Sequence, residues 1–469
     1  MGAVKKSVSF AAPQAVNKEW LLEALKGTWN MRQTIETGRR SRTLSWVGVG
    51  AIVMVVGTGC GSSAATKPTT DAGDTGDATT RTVTGPLKIG FLMPATGSLA
   101  DQAAVWEMGV QLAQTEINNS GGLMGRPITL DIQDSMFNNA TAVTEANGLL
   151  DDAHASFLLT ADGTSPVIAV LKATLPKAAI IFASTASGDE LVGLDTTDSV
   201  FRSVASVSLI GGGIAKAALA KGARTMAILQ GDNPYTLGCA DAAAAYFTQG
   251  GGTITTRVMF PYAPMPTYNY AADLATASAG APDVIYLVPH PAVGISFLKA
   301  WTAASTGKFG GQWYLNETLR TDAIPANVGM TATNGMRGVV PAGNALGNAA
   351  MVSAFTTAYG TASCSPSIPR VAENYDAVYL AALAIAQAGT STDIDAIRTA
   401  LRAVANPPGT VVGPGEFAKA IALIKAGEDI NYEGASGTVD LDEQGNVNPT
   451  LAEWELQSGK FTVLQTFSP

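Results

Sequence analysis

The sequence predicts an α/β protein with two doubly wound lobes. Short apolar runs alternate with stretches of helical period from Leu87 onward, and that alternation implies parallel sheets covered by helices on both faces. The pattern yields about ten strands, more than one doubly wound sheet holds comfortably. It also restarts after Arg202, as a second lobe would.

Each element has its own signal. LKIGFLMP, from Leu87, is rich in branched and apolar residues and reads as a buried strand. The next segment, SLADQAAVWEMGVQLAQTEINNSGG, sets Ala104, Met108, Leu112 and Ile117 on one side of a helix, which the Gly pair stops. ITLDIQD alternates as a strand. A helix over 141–152, the strand SFLLT, a helix over 166–176 and the strand AIIFAS follow. The second series is a helix over 207–221, MAILQG, a helix over 236–249, ITTRVMF, a helix over 270–279, DVIYLV, a helix over 292–304 and QWYL. Ligands of such folds bind at the carboxyl ends of the strands.

The region before Leu87 reads differently. Arg39, Arg40 and Arg42 precede an uncharged, mostly apolar run from Leu44 to Val56, 13 residues long. A spanning helix needs about 20. A basic segment, a short apolar run and small residues before a cleavage point are the parts of an export signal. The run ends at Gly57-Thr58-Gly59-Cys60, which resembles a bacterial lipoprotein signal with Cys60 as the lipidated residue, although Gly57 stands where such signals usually carry Leu. An ordinary signal peptide cut nearby is the other reading. Met31 offers a natural start, so residues 1–30 read as an extension, 31–59 as the signal, and 60–86 as the lipidated Cys with a tether. Gly61 to Gly85 has almost no apolar bulk and cannot offset chain entropy by burial.

Composition narrows the function. The chain is 46% hydrophobic and 14% charged, enough for two sizeable cores. Residues 1–42 carry a net +5, so the remainder carries −14 of the overall −9. An acidic body is a poor partner for nucleic acid, whose phosphates need Lys and Arg. The only histidines are His154 and His290, and no Cys/His group has metal spacing. DLDEQGNVNPTL, from Asp440, starts like a calcium loop, but its twelfth position is Leu451 rather than Glu, so a turn between strands is expected. No phosphate loop or nucleophile elbow occurs. Binding is expected, with no enzymatic activity and no cofactor.

From Leu87 to Phe467 the chain resembles the type I periplasmic binding proteins, in the leucine/isoleucine/valine-binding branch that serves ABC importers. The resemblance lies in IGFLMPATGSLAD, the EINNSGGLMGR turn, ASTASGDEL, GDNPYTLGCADA, VPHPAVG, YLNETL, ENYDAVYLAALA and the closing TVDLDEQGNVNPTLAEWELQSGKF. It implies two lobes joined by a hinge, a Venus flytrap. Residues 87–203 plus 338–437 would form the first lobe and 204–337 plus 438–469 the second.

The resemblance also implies a site. Thr164, Ser165, Thr185 and Ser187 match first-lobe hydroxyls that hold a ligand carboxylate; the same residues could be helix N-caps. Glu317 falls where an acid meets the ligand ammonium, with a solvated loop acid as the alternative. Tyr235 matches a second-lobe tyrosine that meets the ligand, or is an exposed loop residue. Gln102, Pro289 and Arg370 stand where branched-chain binders carry aromatic residues, so the expected solute is an amino acid or related zwitterion without a simple branched chain. If Arg370 faces the cleft, an acidic or amide side chain fits; otherwise it is a surface helix residue. His290 is expected at a strand end. In an oxidising compartment two cysteines such as Cys239 and Cys364 can pair, although they fall on different lobes in this reading and a bridge would restrain closure.

The implied partners are a small-molecule ligand and an ABC permease with its ATPase, with the protein a monomer. The implied location is outside a bacterial membrane, touching it through the lipid only. A sensor that signals to a receptor is the second reading.

Overall fold

The computed structural model describes residues 87–468 other than 152–156, 176–178, 305–307, 344–347 and 361–367. The extension, signal, Cys60 and tether expected over 1–86 lie outside the described residues, as do His154 and Cys364.

The first sheet contains β1 (Leu87–Met93), β2 (Ile128–Asp134), β3 (Phe157–Thr160), β4 (Ile180–Ala183) and β5 (Val200–Arg202), all parallel, in the order β2-β1-β3-β4-β5. The period of two decides which face each residue serves. Ile89, Phe91 and Met93, with Phe157, Leu159, Ile180 and Phe182, enter one core, whereas Leu92, Leu158, Ile181 and Ala183 enter the other. The helices Ala100–Asn119 and Val371–Ala388 cover the first face, and Asn139–Asp151 and Thr164–Thr174 the second.

The second series gives β6 (Thr225–Gly231), β7 (Thr253–Phe260), β8 (Val284–Val288), β9 (Gln312–Leu315) and β10 (Arg337–Pro341). A small sheet follows, with β11 (Thr410–Val412), β12 (Ile430–Gly434) and β13 (Gly437–Thr438). The chain closes with the hairpin β14 (Leu451–Gln457) and β15 (Lys460–Phe467). The second sheet runs β15-β14-β10-β9-β8-β6-β7, with β14 antiparallel to β10. Its five parallel strands, β6 to β10, repeat the order of the first sheet. Met226, Ile228 and Tyr286 face the helices Val207–Ala220 and Pro234–Gln249; Ala227, Leu229 and Leu287 face the helices Tyr270–Ser278 and Pro291–Ala303.

Pairing and packing place two lobe limits later than the sequence reading did. The chain leaves the first sheet at Arg202 and enters the core of the second at Ala205. Residues 338–341 belong to the second sheet, because β10 pairs with β9 and β14. Val439, Leu441 and Val447 belong to the first core, and the second sheet resumes at Leu451. The segment from Asp440 is a turn, closed by Asp442, whose carboxylate accepts the Gln444 and Asn446 amides at 2.9 and 2.8 Å. Its outer edge grips the first lobe: Asn446 Oδ1 accepts Arg202 Nε at 2.7 Å. Among the described residues no group of three or more His, Cys, Asp or Glu is set to hold a metal ion, and no helix is long and apolar enough to cross a membrane.

Candidate functional site

A cavity of about 520 Å³ opens where the two sheets present the carboxyl ends of their strands. That volume suits a small organic solute. The first lobe contributes the segments after β1, β2, β3 and β4 and the turn before the helix Val371–Ala388. The second contributes the segments after β6, β7, β8 and β9.

At the first-lobe end, Thr164, Ser165 and Thr185 line the cavity. The helix Thr164–Thr174 begins with Gly163 at its N-cap and no side-chain cap, so neither Thr164 nor Ser165 is spent as an N-cap. The first amides of a helix lack intrahelical partners and carry positive partial charge. Thr164 Oγ1 accepts the Gly188 amide at 3.2 Å, which ties the two hydroxyl-bearing loops together. Thr185 Oγ1 is buried without a protein partner. Close approach depends on Gly163: a Cβ there would stand 2.6 Å from the Phe137 ring. Beneath this end lies Asp162, fully buried, its Oδ1 accepting the Gly163 amide at 3.0 Å; burial pushes its pKa up to about 6.

The opposite end is charged. Glu317, after β9, is 0% exposed, and Arg370 is 5% exposed. Arg370 Nη2 donates to Glu317 Oε1 across the cleft and to Ser187 Oγ at 3.2 Å, while Nη1 meets Glu373 Oε1 at 3.1 Å. The Tyr235 hydroxyl lies 2.6 Å from Asn316 Oδ1 and 3.1 Å from Glu317 Oε1. Burial raises the Glu317 pKa, against the pull of Arg370. Burial also works against the Arg370 charge, but Glu317 and Glu373 outweigh it and raise that pKa. Arg370 has φ of 80° at the helix N-cap, a position strained for any residue with a Cβ. The turn is held from outside by Trp106 Nε1, which donates to Pro369 O at 3.0 Å.

Seven of the expected site residues therefore line one cavity: Gln102, Thr164, Ser165, Thr185, Tyr235, Glu317 and Arg370. Ser187 does not line it; its hydroxyl accepts from Arg370 instead. Arg370 is a buried cap residue and not a surface one. Glu317 is a buried, paired acid and not a solvated loop acid. His290 does stand at a strand end. It lines the cavity, accepts the Ala292 amide at Nδ1 (3.2 Å), and lies 3.2 Å from Ser98 O on the other lobe through Nε2. Burial lowers its pKa, which favours the neutral ring with the proton on Nε2. Cys239 is a free thiol, fully buried beside Tyr286 and Asn316, and burial raises its pKa.

The sequence reading missed Trp106, Phe137 and Tyr262, whose rings line the middle of the cavity. Tyr262 packs edge-on to His290 at 5.4 Å between centroids. Position just past a strand end could have flagged Phe137 and Tyr262; Trp106 lies within a helix and carried no such signal.

Two lobes closing strand ends around one cavity define a solute-binding receptor. The profile of the family described as periplasmic binding protein matches residues 86–439, and the chain belongs to that family. Family members are substrate-binding proteins, and the family implies an extracytoplasmic location. The fold is similar to the leucine-binding protein LivK of Thermotoga maritima, with TM-score 0.67 and 19% identity, covering 82% of this chain and 99% of that one. It is also similar to an ABC transporter solute-binding protein from R. palustris in complex with benzoate, with TM-score 0.66 and 20% identity, covering 82% and 97%. A curated relative is the chemotactic signal transduction substrate-binding protein BasB of Halobacterium salinarum, 24% identical over 379 residues, covering 76% of this chain and 83% of that protein.

Proposed function

We propose that this protein captures a small organic carboxylate between its lobes and hands it to an ABC importer. The carrying observation is the first-lobe end of the cavity. There a helix N-terminus without a side-chain cap and a Thr185 hydroxyl unpartnered among the described residues supply donors for a ligand. A carboxylate accepts several such bonds at once, and charge assistance strengthens each. The two structural relatives named above are described with leucine and benzoate, which share only a carboxylate and an apolar body. Trp106, Phe137 and Tyr262 would cover such a body. Amino acids remain inside this class. Closure follows because contacts from both lobes are complete only in the closed form.

Sensing is the second reading, and BasB favours it. Export and a lipid on Cys60 belong to the proposal through the basic and apolar leader. A thermal-shift screen of organic acids, amino acids, amines and sugars tests the solute class. Saturation by about 100 times the dissociation constant adds about 2.7 kcal/mol of stability. Shifts confined to carboxylates support the reading, and a shift by amines or sugars alone sinks it. Purification with a permease and ATPase would favour import; recovery with a membrane signal transducer would favour sensing.

A further inference from the structure

We propose that the cleft selects carboxylates without an ammonium group, because Arg370 occupies the place on Glu317 where an ammonium would be held. The proposal rests on the carboxylate-receptor reading and narrows its solute class.

Glu317 is the acid lining the second-lobe end of the cavity, and it is already met. The guanidinium of Arg370, reaching from the other lobe, donates to Oε1, and the Tyr235 hydroxyl lies against the same oxygen. The guanidinium is not free to swing aside. Ser187 and Glu373 each hold a further donor, and its backbone is fixed at a helix N-cap whose carbonyl accepts Asn374 Nδ2 at 2.6 Å. A ligand ammonium would have to share one buried carboxylate with this second cation, and the two would repel in a low-dielectric setting. Glu373 does not reverse the balance. Its Oε1 is engaged by the same guanidinium that meets Glu317 Oε1. The remaining buried oxygen, Glu317 Oε2, has no protein partner and can meet a neutral hydroxyl or amide. The opposite end keeps its open donors, so the polarity of the cavity suits a molecule charged at one end only.

Titration calorimetry on the full chain provides the test. The probes are aliphatic and aromatic acids, each paired with its α-amino analogue, such as 3-phenylpropanoate with phenylalanine and 4-methylpentanoate with leucine. The expected result is tighter binding of the amine-free member by about tenfold or more in each pair that binds. Equal or tighter binding of the amino acid overturns the selection and leaves the carboxylate reading standing. Binding by neither member of any pair, at any chain length in the series, overturns both. The variant Glu317→Gln gives an independent readout. It removes the Glu317 charge and keeps the Arg370–Glu373 pair, so the affinity ratio within each pair of acid and amino acid should shift by less than about threefold. A loss of about 30-fold or more confined to the amino acids would mean that Glu317 holds a ligand cation after all.

Discussion

The two ends of the cavity are built on opposite principles. At the first-lobe end, Thr164 and Ser165 open a helix without a side-chain cap, Thr185 lies in the loop after β4, and hydrogen-bonding capacity is left open. At the second-lobe end, Arg370 pairs with Glu317 across the cleft and with Glu373 beside it. Buried polar groups without partners are costly, so a protein that keeps them open expects another molecule to fill them. Buried charges that are paired internally serve the fold and its closure instead.

Changes at the two ends should separate accordingly. The largest effect is expected from Arg370→Met. It leaves Glu317 and Glu373 buried without their shared cation, and breaking a buried pair costs about 3–5 kcal/mol. Chemical denaturation reads this directly, and a cost below about 1 kcal/mol would mean that water reaches the pair.

Asp162→Asn probes the floor of the open end. The Asp162 pKa rises from 3.8 to about 6 on folding, so the folded state holds the proton more tightly than the unfolded one. Stability therefore falls as pH rises from 3.8 towards 6, and the cost is complete above it. The variant should gain on the order of 2–3 kcal/mol at neutral pH and nothing near pH 3.8, as followed by melts across that range.

Thr185→Val should leave stability unchanged, since the hydroxyl has no protein partner. Solute affinity should fall by about tenfold, the worth of one hydrogen bond to a charged group. A stability loss without an affinity loss would place Thr185 among the structural residues.

The smallest effect concerns His290. Its folded pKa is lowered below 6.5, so its contribution is intact above that value and is lost as pH falls. Stability should therefore fall as pH drops below 6.5, and His290→Ala should remove that dependence, as followed by melts across the range.

Much of the fold was legible because apolar runs in a parallel sheet serve two cores at once. LKIGFLM and AIIFA read as strands for that reason. The three residues of β5 are too short for any period to emerge, and β10 changes lobes by pairing with β14, more than 100 residues later. Position carried much of the site: residues just after strands, such as Thr164, Thr185, Tyr235 and Glu317, reach the cavity. Pairing between them was not legible. Arg370 and Glu317 are separated by 53 residues and meet only through closure of the two lobes. The helix Val371–Ala388 is buried from Val371 to Ile385, so it lacks the polar face from which its packing could have been read.

A crystal structure of the protein with its solute bound is the most direct measurement. We expect the carboxylate within hydrogen-bond distance, about 2.6–3.2 Å, of Thr185 Oγ1 and the first amides of the helix Thr164–Thr174, with the Arg370–Glu317 pair intact. A carboxylate seated on Arg370, or a cationic group displacing Arg370 from Glu317, would contradict the division of the cavity into an open end and a paired one.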